Sequence, residues 1–325
     1  MTFFHRPLRA ALAGCLAVLP LLAAAQAWPS KPIRFVVGYP PGSSPDVQAR
    51  LIAEPLAKAL GQPVVVDNKP GAGGNIGADL IAKAQDDHTI GIVGNGPLTS
   101  AKFLYPQLPY DPQKDFTPLA LVGAAPLVWV APKSAAGSGS AREFIRQVKT
   151  ASQPPAYGST GLGAGTHLGM EVLREKLGFE ALHVPYTGGP AILNAMLGGQ
   201  LQMALLPAST AAPMVQSGRV VALASTSARR TPLAPDLPAL EELGVQGVNI
   251  EVWNAIVGPA RLSAPARTRL ATELARIVDA REMRQKLLVQ GWKVDDPSPG
   301  ALARRIQDDT ALYGAIISRK GIKLE

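Results

Sequence analysis

From Ile33 onward the chain alternates short β-branched runs with longer stretches of helical spacing, and no other feature restricts its fold as much. Residues 33–37, 64–66 and 89–93 read as strands, with helices over 46–60 and 76–84 between them. Consecutive strands separated by a helix run parallel, because a parallel pair needs a long crossover and the helix supplies it while covering a face of the sheet. A second set follows Pro132: a helix near 141–150, a strand ending at Tyr157, a helix over 166–177, a strand at 182–184, a helix near 191–197, and strands at 201–206 and 220–224. Apolar runs at 127–130 and 250–257 bracket that set. The remainder, 263–317, is almost wholly helical, and Leu270, Leu274, Ile277 and Val278 have the spacing of a core-facing stripe. The pattern predicts two α/β lobes. If the C-terminal helices pack back onto the first, the chain crosses between lobes twice, which makes a hinge, and the carboxyl ends of the strands face the cleft.

The segment before this pattern reads as a secretory leader. Arg6 and Arg9 precede an apolar run over 10–25, and Ala25-Gln26-Ala27 offers a small-residue cleavage site, so the mature chain is expected to begin at Trp28. A membrane anchor is the alternative, but Pro20 interrupts the run, which is shorter than the ~18 to 20 apolar residues of a span. Leu12-Ala13-Gly14-Cys15 also fits a lipoprotein box with Cys15 lipidated, although most of the apolar run then lies on the wrong side of it. Cys15 is the only cysteine, so an exported chain cleaved after Ala27 has no disulfide or thiolate site and depends on its core. The about 300 residues that remain suffice for two domains of ordinary size.

The net charge of +8 falls to +6 when Arg6 and Arg9 leave with the leader, a background that steers anions inward. Nucleic acid is not expected as a partner, because the basic residues are scattered, with Arg229-Arg230 and Arg304-Arg305 the longest runs.

Two loops carry the candidate chemistry, each leading from a strand into a helix. The first runs over 38–46: Ser44 is placed as an N-cap, Pro45 as the first helical residue and Asp46 in the first turn, while Gly42 and Ser43 allow close approach. Free amides at such a terminus attract carboxylates, although a well-capped helix alone also explains the residues. The second runs from Tyr157 to His167, where Gly158, Gly161, Gly163 and Gly165 stand among Ser159, Thr160 and Thr166, a dense cluster of backbone and hydroxyl donors. Gly161 and Gly163 begin a dinucleotide fingerprint, but Thr166 stands where its third glycine belongs. His167 and Ser159 could form a base and nucleophile pair, yet neither loop has a Gly-x-Ser-x-Gly elbow, and ligand contact is the favoured role for His167. His88 and His183 lie too far apart in sequence to suggest a metal, so neither metal nor cofactor is expected. Asn95-Gly96-Pro97 and Pro207-Ala208-Ser209 follow strands and could lend polar groups to the cleft, though turns explain both. The glycine-rich stretch 69–75 lacks a P-loop ending and reads as a flexible loop beside the cleft.

At these residues the chain resembles the Bug family of periplasmic solute-binding receptors, the binding components of tripartite tricarboxylate transporters. The matching segments are Pro40-Pro41-Gly42 through Asp46, Asp67-Asn68-Lys69-Pro70-Gly71 through Gly77, and Tyr105-Pro106-Gln107-Leu108-Pro109-Tyr110-Asp111-Pro112. They continue with Tyr157 through Leu168, His183-Val184-Pro185-Tyr186, Leu197-Gly198-Gly199-Gln200 and Gly321 through Glu325, covering nearly the whole mature chain in order. The resemblance implies a type II periplasmic-binding-protein fold, two α/β lobes joined by crossover strands, with lobe one at 28–127 plus 251–325 and lobe two at 128–250. It implies that loops 42–46 and 159–167 grip a ligand carboxylate from both sides through backbone groups and ordered waters; a monomer in the periplasm is expected. The expected contacts are Tyr39, Gly42, Ser43, Ser44, Asp46 and Asn95 from the first lobe, and Ser159, Thr160, Gly163, Thr166, His167 and Ala208 from the second.

Departures from the family pattern cluster here: Ser43 replaces a second glycine, Pro45 a threonine-like residue, Thr187 a frequent lysine, and Leu206-Pro207 a polar pair. They suggest a ligand less polar at its far end than aspartate or glutamate. Three functions compete: a transport receptor working with membrane subunits, a ligand-loaded sensor for a signalling partner, and a hydrolase or isomerase using Ser159 and His167. The first two need the same trap; the third alone requires turnover.

Overall fold

The computed structural model describes residues 28–137, 140–230, 235–246 and 250–322. The expected leader, with Cys15 and the expected cleavage site at Ala27, and the terminal residues 323–325 lie outside them.

The first βαβαβ unit comprises β1 (Ile33–Val37), α1 (Ser44–Leu60), β2 (Val64–Asn68), α2 (Asn75–Ala82) and β3 (Thr89–Gly94). β1 pairs in parallel with both β2 and β3. Every residue of β3 is buried, as a parallel strand covered on both faces requires. α1 buries Ala49, Ile52, Ala53, Leu56 and Leu60, one stripe at helical spacing, and stops where Gly61 takes φ +69.

After the short helices α3 (Asn95–Leu98) and α4 (Ala101–Leu104) comes β4 (Phe116–Pro132), a 17-residue strand of which the sequence shows only the last part. Pro118, Gly123 and Pro126 hide the rest, and the pairing is irregular at two places near the first two of them. β4 joins two sheets. Residues 116–126 pair antiparallel with β9 (Glu251–Pro259), and Val128, Trp129 and Val130 pair with both β7 (Met203–Pro207) and β8 (Val220–Ser225). With β5 (Ala156–Ser159) and β6 (Leu182–Pro185) of the second lobe, the strand order β2-β1-β3-β9-β4-β7-β5-β6 therefore runs without a break from one lobe to the other.

The second lobe holds α5 (Ala141–Thr150), β5 (Ala156–Ser159), α6 (Gly165–Leu177), β6 (Leu182–Pro185), α7 (Gly189–Leu197), β7, α8 (Ala208–Gln216) and β8. Its core centres on Trp129, edge-on to Phe144 and stacked 6.0 Å from Phe179. Truncating such a side chain costs about 3 to 5 kcal/mol. α8 replaces the turn expected at 207–209, because β7 leads directly into a helix there.

The chain ends in α9 (Ala264–Asp279), α10 (Arg281–Val289) and α11 (Pro299–Lys320). α9 buries Leu270, Leu274, Ile277 and Val278 in the same core as β1 and α1, and Arg269 donates to the Ala59 carbonyl at 3.0 Å. α11 is tied to β9 by the Trp253 indole, which donates to Asp309 Oδ2 at 2.5 Å. Its Tyr313, Ile316 and Ile317 reach Leu168 of α6. Among the described residues no helix is long and apolar enough to cross a membrane.

Candidate functional site

A cavity of about 60 Å³ lies where the carboxyl ends of β1, β3, β5, β6 and β7 converge. Besides the four-residue α3, which starts at Asn95, four helices of nine residues or more begin on its wall. Ser43 to Pro45 open α1, Ala164 to Thr166 open α6, Gly188 and Gly189 open α7, and Pro207 and Thr210 belong to the start of α8. None of the four has a side chain capping its first amides. Each such terminus carries roughly half a positive charge. Among the described residues no ionisable carboxylate, lysine, arginine or histidine lines the cavity.

The first loop is held from behind. Asp46 is 2 % exposed and accepts from the Gly42 amide (2.9 Å), from Asn68 Nδ2 (2.9 Å) and from Arg50 Nε (3.1 Å). Burial works against its charge, but the hydrogen bonds from Arg50, Gly42 and Asn68 outweigh burial and hold the carboxyl below its ordinary value. Asn68 Nδ2 also donates to the Tyr39 carbonyl at 3.0 Å, so Asp46 and Asn68 fasten the loop at both ends. Gly42 takes φ +78, which a side chain would oppose. The N-cap is Ser43, one residue before the expected Ser44, and its side chain caps no amide because its hydroxyl turns back to donate to the Pro40 carbonyl at 2.6 Å. Ser44 thus begins the helix and lines the cavity. Tyr39, buried with its hydroxyl pKa pushed up by desolvation, donates to the Gly73 carbonyl at 3.1 Å.

The second loop is braced by a buried polar network. Ser159, fully buried, donates from Oγ to the Gly161 carbonyl (3.0 Å) and lies 2.7 Å from His183 Nε2. His167 Nδ1 accepts from the Gly163 amide at 3.1 Å, so the histidine on Ser159 is His183 and not His167. The two imidazoles stack with ring centroids 4.0 Å apart. Burial, with repulsion from His183 and Arg174, lowers His167 to about 3. Burial lowers His183 to about 4 against the opposing pull of Glu171. Thr166 Oγ1 accepts from the Thr160 amide at 3.0 Å, closing the loop at the cavity wall.

The two lobes touch beside the cavity. Ser44 Oγ is 3.3 Å from Thr210 Oγ1, and Ser100 Oγ donates to the Gly163 carbonyl at 2.5 Å. Gly161, at φ +128, lies so close to Gly73 that an added Cβ would fall 2.5 Å from the Gly73 Cα.

Of the residues expected from sequence, Tyr39, Ser43, Ser44, Asn95, Thr160 and Thr166 share this wall. Gly42, Asp46, Ser159, Gly163, His167 and Ala208 do not line it; Asp46, Ser159, Gly163 and His167 lie in the networks that shape the two loops. Sequence reasoning missed Gly188, Gly189, Thr210, Val252, Asn254 and Trp292. Gly188 and Gly189 had a readable signal, a glycine pair between a strand and a helix. So had Asn254, a lone amide in an apolar run, which donates to Gln48 Oε1 at 2.8 Å. Trp292, on the loop between α10 and α11, had none.

The family described as "Tripartite tricarboxylate transporter family receptor" matches residues 48–322. Protein BugT of Bordetella pertussis (strain Tohama I) is 32% identical over 305 residues, covering 93% of each chain. Two Rhodopseudomonas palustris structures superpose on this one, each 29% identical. Rpa4515 with adipate has a TM-score of 0.87 and covers 91% of this chain and 100% of its own. MatC with bound malate has a TM-score of 0.82 and covers 89% and 100%.

Proposed function

The chain belongs to the tripartite tricarboxylate transporter receptor family and is a solute-binding receptor of the Bug type, and from that premise we propose that it traps a small carboxylate in the periplasm for the membrane subunits of such a transporter. The observation that carries this is the convergence of four uncapped helix N-termini on one cavity without an ionisable carboxylate, lysine, arginine or histidine among the described residues of its wall. Fixed amide dipoles attract an anion and need no side-chain cation. The adipate and malate seen in two relatives are of the same chemical class.

In this reading the lobes are 28–127 plus 251–325 and 128–250, and the protein acts as a monomer exported by the leader at 1–27. Ser43, Ser44, Tyr39 and Asn95 meet the ligand from the first lobe, Thr160 and Thr166 from the second. Asp46, Ser159, Gly163 and His167 serve by holding the loops. A ligand touching both lobes favours the closed state, since only that state offers both sets of contacts. Ser159 is sealed from the cavity and paired with His183, an arrangement suited to bracing a loop and not to attacking a substrate.

A thermal-shift screen of small carboxylates tests the proposal, because a ligand of the native state raises the melting temperature. The expected result is a rise with at least one carboxylate, one-to-one stoichiometry by calorimetry, compaction by small-angle scattering and no product on prolonged incubation. Turnover, or no response to any carboxylate, would refute it.

A further inference from the structure

The tryptophans of the described chain differ in what their indole N–H meets. Trp28 donates to the Asp87 carbonyl at 3.1 Å and Trp253 to Asp309. The N–H of Trp129 has no partner, but its ring is sealed among Phe144 and Phe179 in the second-lobe core. Trp292 alone combines an unpartnered N–H, 1 % exposure and a place on the cleft wall.

The backbone around it is held on both sides of the cleft. The Trp292 amide donates to the Leu287 carbonyl at 2.9 Å, and Lys293 exchanges backbone hydrogen bonds with Ala124 at 2.8 and 2.9 Å. Gly291 sets this loop against the other lobe, where an added Cβ would meet the Ala208 Cβ at 3.2 Å. Val252 and Pro207 on the same wall offer no charge. A buried N–H that stays unpaired is costly, and native interiors keep few of them. On the wall of a binding cleft the cost is relieved when a ligand brings an acceptor.

We propose that Trp292 determines specificity: the ligand is an acid that presents, away from the carboxylate held by the helix termini, a hydrogen-bond acceptor on an apolar body, and the Trp292 indole N–H reads that acceptor. The proposal rests on the carboxylate reading above. A site built to donate discriminates against analogues that lack the acceptor, because they leave the donor unpaired. An alkyl or ammonium group at that place meets an N–H it cannot satisfy.

Calorimetry on the native protein and on Trp292→Phe, which keeps an aromatic ring and removes the donor, tests this with matched acids. One pair is 4-oxopentanoate and 4-methylenepentanoate, in which C=CH2 replaces C=O; the other is pyridine-3-carboxylate and benzoate, in which CH replaces the ring nitrogen. The expected result is that the acceptor acid of a pair binds the native protein about tenfold tighter than its carbon isostere. In Trp292→Phe the ratio falls to about unity, with the isostere's affinity unchanged. A ratio that survives in Trp292→Phe, equal binding of both members by the native protein, or a tightest-binding carboxylate that Trp292→Phe holds equally well overturns the inference alone. Failure of every carboxylate to bind overturns the carboxylate reading as well.

Discussion

Mild acid should destabilise this protein well above the pH at which carboxylates protonate, and the stacked pair His167 and His183 is the reason. Both are held neutral when folded, His167 with a pKa of about 3 and His183 of about 4, mainly by burial. In the unfolded chain each returns to about 6.5. A depressed histidine pKa means that the unfolded state binds protons first. The stabilisation is therefore complete above about pH 6.5 and is lost as the pH falls toward the folded values. Between pH 7 and pH 5 a fully buried histidine forfeits about 2 kcal/mol. The partly exposed His183 is discounted to about 1 kcal/mol, so the pair accounts for about 3 kcal/mol, a large share of the about 5 to 15 kcal/mol of a typical domain. Arg174 and Glu171 face the pair and are accounted for in its shifts. His88, lowered by burial and by Lys31, adds a loss of the same sign. The depressed carboxylates Asp46, Asp67 and Asp86 act only below about pH 4, outside this window. Urea unfolding followed by tryptophan fluorescence at pH 7, 6 and 5 measures the effect, and His183→Gln should remove about a third of it. A native unfolding free energy constant within about 1 kcal/mol across that range refutes the reasoning.

Gly161→Ala places a methyl group against Gly73 across the cleft, so ligand affinity should fall at least about tenfold, and small-angle scattering should show no compaction with a ligand that compacts the native protein. Asp46→Asn removes a charged acceptor from Gly42, Asn68 and Arg50 and should lower the unfolding free energy at pH 7 by about 2 kcal/mol, read by urea denaturation. Thr210→Val deletes the hydroxyl 3.3 Å from Ser44 and should weaken ligand binding while changing the melting temperature little, since the contact bridges lobes.

What was legible in the sequence was whatever local periodicity or local turn chemistry decides. β1, α1, β3, α5 and α6 fall within about two residues of their expected limits, because each carries an unbroken apolar stripe and ends at a proline- or glycine-containing turn. β4 was half hidden because its prolines and Gly123 break the strand pattern, and only pairing with β9 overrides them. Asp46 and His167 were recognised as belonging to functional loops, but sequence could not say which way a side chain points. Asp46 turns back to Asn68, and His167 turns back to Gly163.

That difference bears on how the trap works. The polar side chains that stand out in the two loops are largely spent on holding backbone amides in place, and the amides and hydroxyls they leave free make the wall. On the proposed carboxylate reading, a clamp of that kind recognises the anion by fixed dipoles that need little rearrangement on closure, so selectivity among acids has to come from elsewhere. The part of the wall that sequence reasoning missed, with Val252, Asn254 and Trp292 on β9 and the loop after α10, belongs to segments far from both loops in the chain. Substitutions there can change which acid is bound without disturbing the grip on its carboxylate. Exchanging Trp292 is therefore expected to move ligand preference, whereas exchanging Asp46 moves stability and affinity for every acid together.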